Sequence, residues 1–331
     1  HVSIGANVLL LALKVFATVV TGSLAILASM VDSLLDLLSQ VVIFWADRLS
    51  SQGIDAKFPA GRRRLEPIGV IICAALMGMA ALEVLRQAVE TIYAHTLGSA
   101  EGEPPTPNVS LAANAIVGAA IAIKAVLFVW CIGIAIEAKS HSVAAVAQDH
   151  FNDVLSNSVA LAAAVLPSLH KGGDLWWIDP AGAVIISLYI IYSWVDTGRE
   201  QVEMIVGKAA EPEFLESIRI MTENHHSTLL CDIIRAYHFG PKFLVEVEVV
   251  LPETTPLRRS HDIGMELQWK IEALDEVERA FVHIDYQTRE YDEHDERSWK
   301  QFSDEFGDLK VPGDAGGGSR SGSPTKKGSA A

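Results

Sequence analysis

Cysteine is scarce, with three in a chain of 331 residues. Cys73 and Cys131 lie within apolar runs and Cys231 lies in the more polar final third, so no two share the close spacing of a thiolate metal site. Cysteines in apolar surroundings usually behave as small hydrophobic residues. We therefore expect buried, inert thiols, with neither a disulfide framework nor a cysteine-ligated metal.

The sequence has no glycine-rich nucleotide-binding loop, which disfavours an ATP-driven pump. Basic residues are also in the minority, with 26 Lys and Arg against 41 Asp and Glu, a net charge of −15. The acidic residues are concentrated from Glu211 onward. We expect no nucleic-acid partner, and an apolar part of the chain followed by an acidic, soluble part.

Apolar residues are abundant. They make up 50% of the chain, and the mean hydropathy is +0.27, which is high for a soluble protein of this length. Runs of about twenty apolar residues, the length that crosses a bilayer, fill most of the first two hundred positions. They predict an α-helical membrane protein with six spans, at about 2–20, 24–45, 67–93, 109–136, 143–169 and 176–195.

The loops between these runs differ in charge. The connection between the second and third spans contains five basic residues, whereas the connection at 101–108 contains none. The positive-inside rule places the basic loop in the cytosol. With six spans, both ends of the chain are then cytosolic. The basic residues are Arg48, Lys57, Arg62, Arg63 and Arg64, of which the three consecutive arginines are expected to bind lipid phosphates or acidic residues. Glu66 beside them is expected to be an ion-pair partner.

The pattern changes after Gly207. A helical pattern is followed by two strand-like runs around Gly240-Pro241, a second helix and a third strand. This order predicts a small α+β domain with the sequence α-β-β-α-β. The predicted divisions are a transmembrane domain at 1–207, a cytosolic C-terminal domain at 208–289 and a disordered tail at 290–331. Because the chain begins with His1, we expect its natural N-terminus to be truncated.

Two pairs of aspartates lie within predicted spans. Asp32 and Asp36 lie in the second span, and Asp149 and Asp153 lie in the fifth. An aspartate at the centre of a span costs roughly 2.5–3.5 kcal/mol, and a spacing of four residues places both carboxylates of a pair on one helix face. A divalent cation between the two helices would balance these charges. The alternative is that the aspartates cap helices at wet ends.

Other polar residues extend the same faces or lie in neighbouring spans. Amide side chains there either add oxygen ligands or form hydrogen bonds between helices. His150 is about 100° around the helix from Asp149 and should face elsewhere, although an i, i+3 pairing with Asp153 would give a mixed nitrogen and oxygen site. The further candidates for this cation site are Asn7, Asn114, Gln40, Asn157 and His150.

Three segments carry a resemblance to a known family. GSLAILASMVDSLLDLLSQ resembles the second span of the cation diffusion facilitator family, DHFNDVLSNSVAL its fifth, and FPAGRRRLEPIGV the loop of its manganese members from fungi and plants. Zinc carriers of the family usually have H-x-x-x-D in the fifth span, whereas this chain has Asp149 at the first position. That difference is typical of the manganese branch, and some iron, zinc and cadmium carriers share it.

The resemblance implies a homodimeric exporter that exchanges a divalent cation for protons, without enzymatic activity or a prosthetic group. Mn²⁺ is the first candidate substrate, with Fe²⁺, Zn²⁺ and Cd²⁺ as alternatives. A multi-pass protein of a eukaryotic endomembrane (vacuole, Golgi or endosome), surrounded by lipids, is implied as well. The histidine-rich loop of vesicular zinc carriers is absent. In the C-terminal domain, the positions that match the family's metal sites are His261, His283 and Asp285.

The crowded aspartates also suggest a mechanism. Neighbouring carboxylates in a medium of low dielectric constant repel each other and favour bound protons, which an entering metal ion displaces. Two other classes of protein fit part of the pattern. An intramembrane aspartyl protease also carries aspartates in two spans but needs one in each. A membrane-anchored metal sensor would place its essential ligands in the C-terminal domain.

Overall fold

The computed structural model describes residues 2–21, 24–96, 111–169 and 177–289. Its first part consists of long helices that match the predicted spans and extend beyond several of them. The predicted fold class, a helical membrane bundle followed by a small α+β domain, is confirmed. The loop at 101–108 and the tail at 290–331 lie outside the described residues. The helices are α1 (Val2–Thr21), α2 (Leu24–Ser50), α3 (Leu65–Thr96), α4 (Leu111–Ala138), α5 (His141–Leu169) and α6 (Ile178–Val206).

The outer surface of the bundle is apolar. Ile136 is 73% exposed and Val126 and Ile185 are each 68% exposed, as expected for side chains that face lipid rather than water. Among the described residues, three stretches are long and apolar enough to cross a membrane: Leu65–Thr96, Val117–Ala138 and Ile178–Val206. Helices α2 and α5 are interrupted by polar residues, several of which are buried, among them Ser39, Gln40, Asp149 and Asn152.

The centre of the bundle is packed around α3 and α6. Trp194 of α6 is 1% exposed and lies in one apolar cluster with Val70 and Cys73 of α3, Ile43 of α2 and Ala145 of α5. Helix α4 packs against α5, and α1 packs against α2. This arrangement fixes α2, α4 and α5 next to one another around a polar interior.

The C-terminal domain has the predicted order of elements, namely α7 (Pro212–Glu223), β1 (Leu230–Phe239), β2 (Lys242–Val250), α8 (Leu257–Glu272) and β3 (Val277–Asp285). Strands β1 and β2 form an antiparallel hairpin, and β3 pairs in parallel with β2, so the sheet order is β1-β2-β3. The alternating valines of β2 (Val245, Val247 and Val249) are at most 1% exposed and pack against α8.

Strand β2 departs from the simple alternation at Glu248. The alternation places this residue on the polar face, yet it is only 8% exposed. Arg235 of the neighbouring strand donates a hydrogen bond to its carboxylate at 3.1 Å. A carboxylate can be buried when a guanidinium pairs with it, so this second face of the sheet is also partly closed.

The basic loop between α2 and α3 docks onto the C-terminal domain. Arg63 donates a hydrogen bond of 3.0 Å to Glu278 of β3, and the Arg64 guanidinium lies 4.5 Å from the ring centre of Phe239. Arg62 pairs with Asp55 within the loop. The partners expected for these arginines were lipid phosphates or acidic residues. The structure shows acidic partners for Arg62 and Arg63 and adds an aromatic ring for Arg64.

A second contact between the two parts of the chain joins Lys139, in the turn after α4, to Glu276 just before β3. Because the Lys139 ammonium donates a hydrogen bond to Glu276, the pKa of this carboxyl is lowered.

Glu66 differs from its expected role as an ion-pair partner. It is 7% exposed, and its carboxylate accepts a hydrogen bond of 3.1 Å from Ser142 at the start of α5.

Candidate metal-transport site

Three of the predicted aspartates lie inside the bundle, where α2, α4 and α5 meet. Asp36 of α2 is 8% exposed and Asp149 of α5 is 1% exposed, while Asp153 is half-buried one turn further along α5. The three carboxylates are close enough to act on one another electrostatically. The spacing of four residues on α5 and the packing of α2 beside it therefore bring the aspartates of two spans into one cluster.

Asp149 is the most deeply buried of these acids. Both of its carboxylate oxygens are buried without a geometrically sound hydrogen bond to any described residue. Gln40 of α2 lies beside it, near enough to influence the carboxyl, and the amide of Gln40 is itself buried without a well-formed hydrogen bond. A buried carboxylate needs a proton, a cation or several hydrogen-bond donors to offset its desolvation. The carboxylate of Asp149 and the amide oxygen of Gln40 are therefore suited to binding a cation of high charge.

His150 lies in the cluster rather than away from it. One ligand atom from each of Asp149, His150 and Asp153 lies within 4.8 Å of the other two. The imidazole Nε2 is 2.7 Å from the hydroxyl of Ser3 in α1, and Nδ1 is buried without a partner among the described residues. This grouping corresponds to the second alternative from the sequence, a mixed nitrogen and oxygen site. It arises because Asp153 is about one helical turn from both Asp149 and His150.

Lys124 of α4 was not among the residues singled out from the sequence. It is 6% exposed, its Nζ is 3.1 Å from Oδ2 of Asp36, and it also donates a hydrogen bond to Asp153. The signal for it was present, because Lys124 is the one charged residue in the predicted fourth span. The rule that an ionisable residue in a span needs a partner applies to lysine as it does to aspartate.

The remaining candidates in the bundle differ in their surroundings. Asn7 of α1 is 2% exposed, and its amide nitrogen has no partner among the described residues. The amide of Asn157 donates a hydrogen bond of 2.7 Å to the backbone carbonyl of Asp153, so it is held within its own helix. Asn152 of α5, which was not predicted, is 3% exposed. Two candidates have side chains outside the described residues: Asp32 and Asn114.

The C-terminal candidates lie on two elements, α8 and β3. His261 is exposed on α8 and His283 is exposed on β3, while Asp285 pairs with Arg289. In the described part of this domain, no group of three or more acidic, histidine or cysteine side chains has the spacing of a metal site. The metal-binding role predicted for these three residues therefore rests on the sequence alone.

Comparison with known proteins places this arrangement in a family. Residues 1–206 match the family model for the cation efflux transmembrane domain. The chain belongs to the cation diffusion facilitator family. Metal tolerance protein 11 of Arabidopsis thaliana is 40% identical over 87% of this chain and 71% of its own length. In Oryza sativa subsp. japonica, metal tolerance protein 4 is 41% identical over 87% of this chain and 70% of its own.

Membership of the cation diffusion facilitator family confirms the resemblance seen in the sequence. It makes the chain an integral membrane transporter of divalent cations rather than an enzyme. The aspartyl protease interpretation is therefore set aside. Metal tolerance protein 5 of Oryza sativa subsp. japonica, at 39% identity over 87% of this chain and 67% of its own length, supports the same assignment.

Proposed function

We propose that this cation diffusion facilitator exports Mn²⁺ from the cytosol in exchange for protons, through the cluster formed by Asp36, Asp149 and Asp153 together with Asp32. The proposal rests on the burial of Asp149, whose carboxylate oxygens accept no well-formed hydrogen bond from the described residues. Such a group is stable only with a proton or a cation beside it. A site that accepts either one has the chemistry that an antiporter requires.

The choice of Mn²⁺ rests on the donor set. Carboxylate and amide oxygens suit hard ions such as Mn²⁺, whereas added imidazole increases the preference for Zn²⁺. The first position of the fifth-span motif is Asp149 instead of histidine, so oxygen donors dominate. His150 is close enough to join them, and this proximity favours Zn²⁺ as the second candidate substrate.

Proton exchange follows from the same carboxylates. Without a metal ion, mutual repulsion among buried acids favours proton uptake, and an arriving divalent cation releases those protons. An acidic compartment on the far side would reverse the exchange and release the metal. This supports an endomembrane location such as the vacuole, Golgi or endosome, with the basic loop and the C-terminal domain in the cytosol. The proposed assembly is a homodimer, as in relatives of the family.

The test is metal flux into proteoliposomes that contain the purified chain and have an acidic interior. Wild-type protein should take up Mn²⁺ in a gradient-dependent manner and faster than Zn²⁺. Asp36→Asn keeps the shape of the side chain but removes its charge, and it should abolish uptake. Asp47→Asn is the matched control, because Asp47 is exposed on the same helix and its loss should leave the flux unchanged.

Ion selectivity is tested with a second variant. Asp149→His introduces an imidazole at the position where zinc carriers of the family have one, and it should shift the flux ratio toward Zn²⁺. An unchanged ratio with intact flux would contradict the assignment of selectivity to Asp149. Mn²⁺ flux that persists without a pH gradient and moves no protons would contradict antiport.

A further inference from the structure

Lys124 connects three helices at the centre of the proposed site. Its stem rises from α4, and its ammonium group bonds Asp36 of α2 and Asp153 of α5. The side chain is 7% exposed, and those of its two partners are 11% and 20% exposed. Charges this far from water must be paired, so the lysine and the two aspartates form one electrostatic unit.

The lysine binds the oxygens that a metal ion would use. Its contacts are to Oδ2 of Asp36 and Oδ2 of Asp153, one from each of the two helices whose aspartates make up the proposed site. A divalent ion held by the same oxygens would lie within a few ångströms of the ammonium, and two cations at that distance repel strongly where the dielectric constant is low. Lys124 and the metal ion therefore compete for the same partners.

The Lys124 ammonium can change partners by rotation of its own side chain. Its ammonium is at the end of a flexible four-carbon stem with several rotatable bonds. This rotation releases a positive charge from the carboxylates at the moment when the metal supplies two.

We infer that Lys124 is a tethered cation that competes with the transported metal for Asp36 and Asp153. This inference rests on the proposed function. By occupying the carboxylates between transport cycles, the ammonium lowers the affinity for metal and so favours its release. It also offsets the negative charge of the metal-free site. That site must switch its exposure from one side of the membrane to the other before the next ion enters. Lys124 is thus a positioning residue that acts through the two aspartates.

The competition predicts opposite effects on binding and turnover. Lys124→Met removes the competing charge while keeping an unbranched side chain, and Mn²⁺ should then bind at least about tenfold more tightly, because a nearby cation of like charge is gone. Transport should show a lower KM together with a lower maximal rate, since release becomes slower. A purely structural role for Lys124 would weaken binding and transport together.

The experiment measures Mn²⁺ binding and flux with the full chain in lipid nanodiscs and proteoliposomes. Lys124→Arg keeps the positive charge and should restore affinity close to that of wild type. Lys139→Met is the matched control, because it removes a lysine that pairs with Glu276 outside the bundle. Weaker or unchanged Mn²⁺ binding in Lys124→Met, or equal tightening in Lys124→Arg, would overturn the inference.

A measurement on the wild-type chain covers the case in which Lys124→Met does not fold. Metal binding must release the Lys124 amine from Asp153, so Mn²⁺ should increase its labelling by a membrane-permeant amine reagent, read by peptide mass spectrometry. Equal labelling with and without Mn²⁺ would also overturn the inference. Failure of the proposed function gives a different result, namely no Mn²⁺ flux in wild type or undiminished flux in Asp36→Asn.

Discussion

Gly240 lies where the C-terminal domain meets the backbone of the basic loop. It turns the hairpin between β1 and β2 with a φ of +70°, a conformation that favours glycine. A Cβ atom at this position would lie 2.6 Å from the carbonyl oxygen of Arg63 and 2.8 Å from its carbonyl carbon. Gly240→Ala therefore introduces both backbone strain and an overlap with the backbone of another segment.

The magnitude of the effect has two parts. The left-handed conformation costs an alanine about 1–2 kcal/mol. Overlap in a packed contact costs about 1–3 kcal/mol. When the loop moves away to relieve the overlap, the cost is limited to the interactions that attach the loop to the domain. That attachment consists of the half-buried pair of Arg63 with Glu278 and the stacking of Arg64 on Phe239, each worth roughly 0.5–1 kcal/mol. The expected destabilisation of Gly240→Ala is thus about 2–4 kcal/mol.

Two glycines serve as controls in unfolding measurements on the full chain in detergent. Gly207 has a φ of +91°, but a Cβ there would meet its nearest atom at an ordinary 3.6 Å, so Gly207→Ala reports strain alone. Gly53 lies in the basic loop with no atom within 4 Å of a Cβ, so Gly53→Ala should be close to neutral. The free energy of unfolding should decrease least in Gly53→Ala, more in Gly207→Ala and most in Gly240→Ala.

The difference between Gly240→Ala and Gly207→Ala measures the attachment of the loop to the domain. Arg63→Ala should therefore destabilise the wild-type chain more than it destabilises Gly240→Ala, where the contact is already lost. Equal destabilisation by Gly240→Ala and Gly207→Ala would refute the reasoning, since it would mean that the loop does not rest on the hairpin.

Two further predictions concern the C-terminal domain. Burial lowers the pKa of His238 below its ordinary 6.5. As the pH falls below 6.5, the unfolded chain therefore binds a proton at this histidine before the folded chain does, which favours unfolding. The contribution of neutral His238 to the stability of the fold is complete above pH 6.5 and is lost as the pH falls toward the folded pKa. The melting temperature should therefore decrease between pH 7.5 and pH 5.5, which are about one unit above and below the ordinary pKa of histidine. The decrease should be larger in wild type than in His238→Gln, and equal decreases would contradict this role. Leu267 is 0% exposed, whereas Leu257 is 85% exposed; Leu267→Ala should lower the free energy of unfolding by about 2–5 kcal/mol and Leu257→Ala by much less, and similar losses would argue against the α8 packing.

The fold could be predicted in large part because its signals are local. Long apolar runs predict spans, and the alternation of Val245, Val247 and Val249 with polar residues predicts a strand that is buried on one side. The hairpin was also predictable, since Gly240-Pro241 interrupts two strand-like runs. Contacts between distant segments were not, and the bond between Arg63 and Glu278 joins residues separated by 215 positions.

The candidate site could be predicted where one helix determines the geometry. Four residues of helix place Asp149 and Asp153 on one face, so this pair needed no knowledge of packing. Lys124 could be noticed as the one charged residue of its span, but its partners could not be predicted, because they lie on two other helices and the packing order of helices cannot be read from their apolar pattern. Angular spacing also misplaced His150, since Asp153 one turn away is within reach of both neighbours.

Passage of the metal ion through the buried carboxylate cluster is tested by the Mn²⁺ flux of Asp149→Asn beside that of Asp47→Asn. Both variants remove one negative charge from a helix of the bundle, but Asp149 is 1% exposed at the proposed site and Asp47 is exposed on the surface. We predict that Asp149→Asn loses flux driven by a pH gradient while Asp47→Asn retains it. Equal flux in the two variants would mean that the ion does not pass through this cluster.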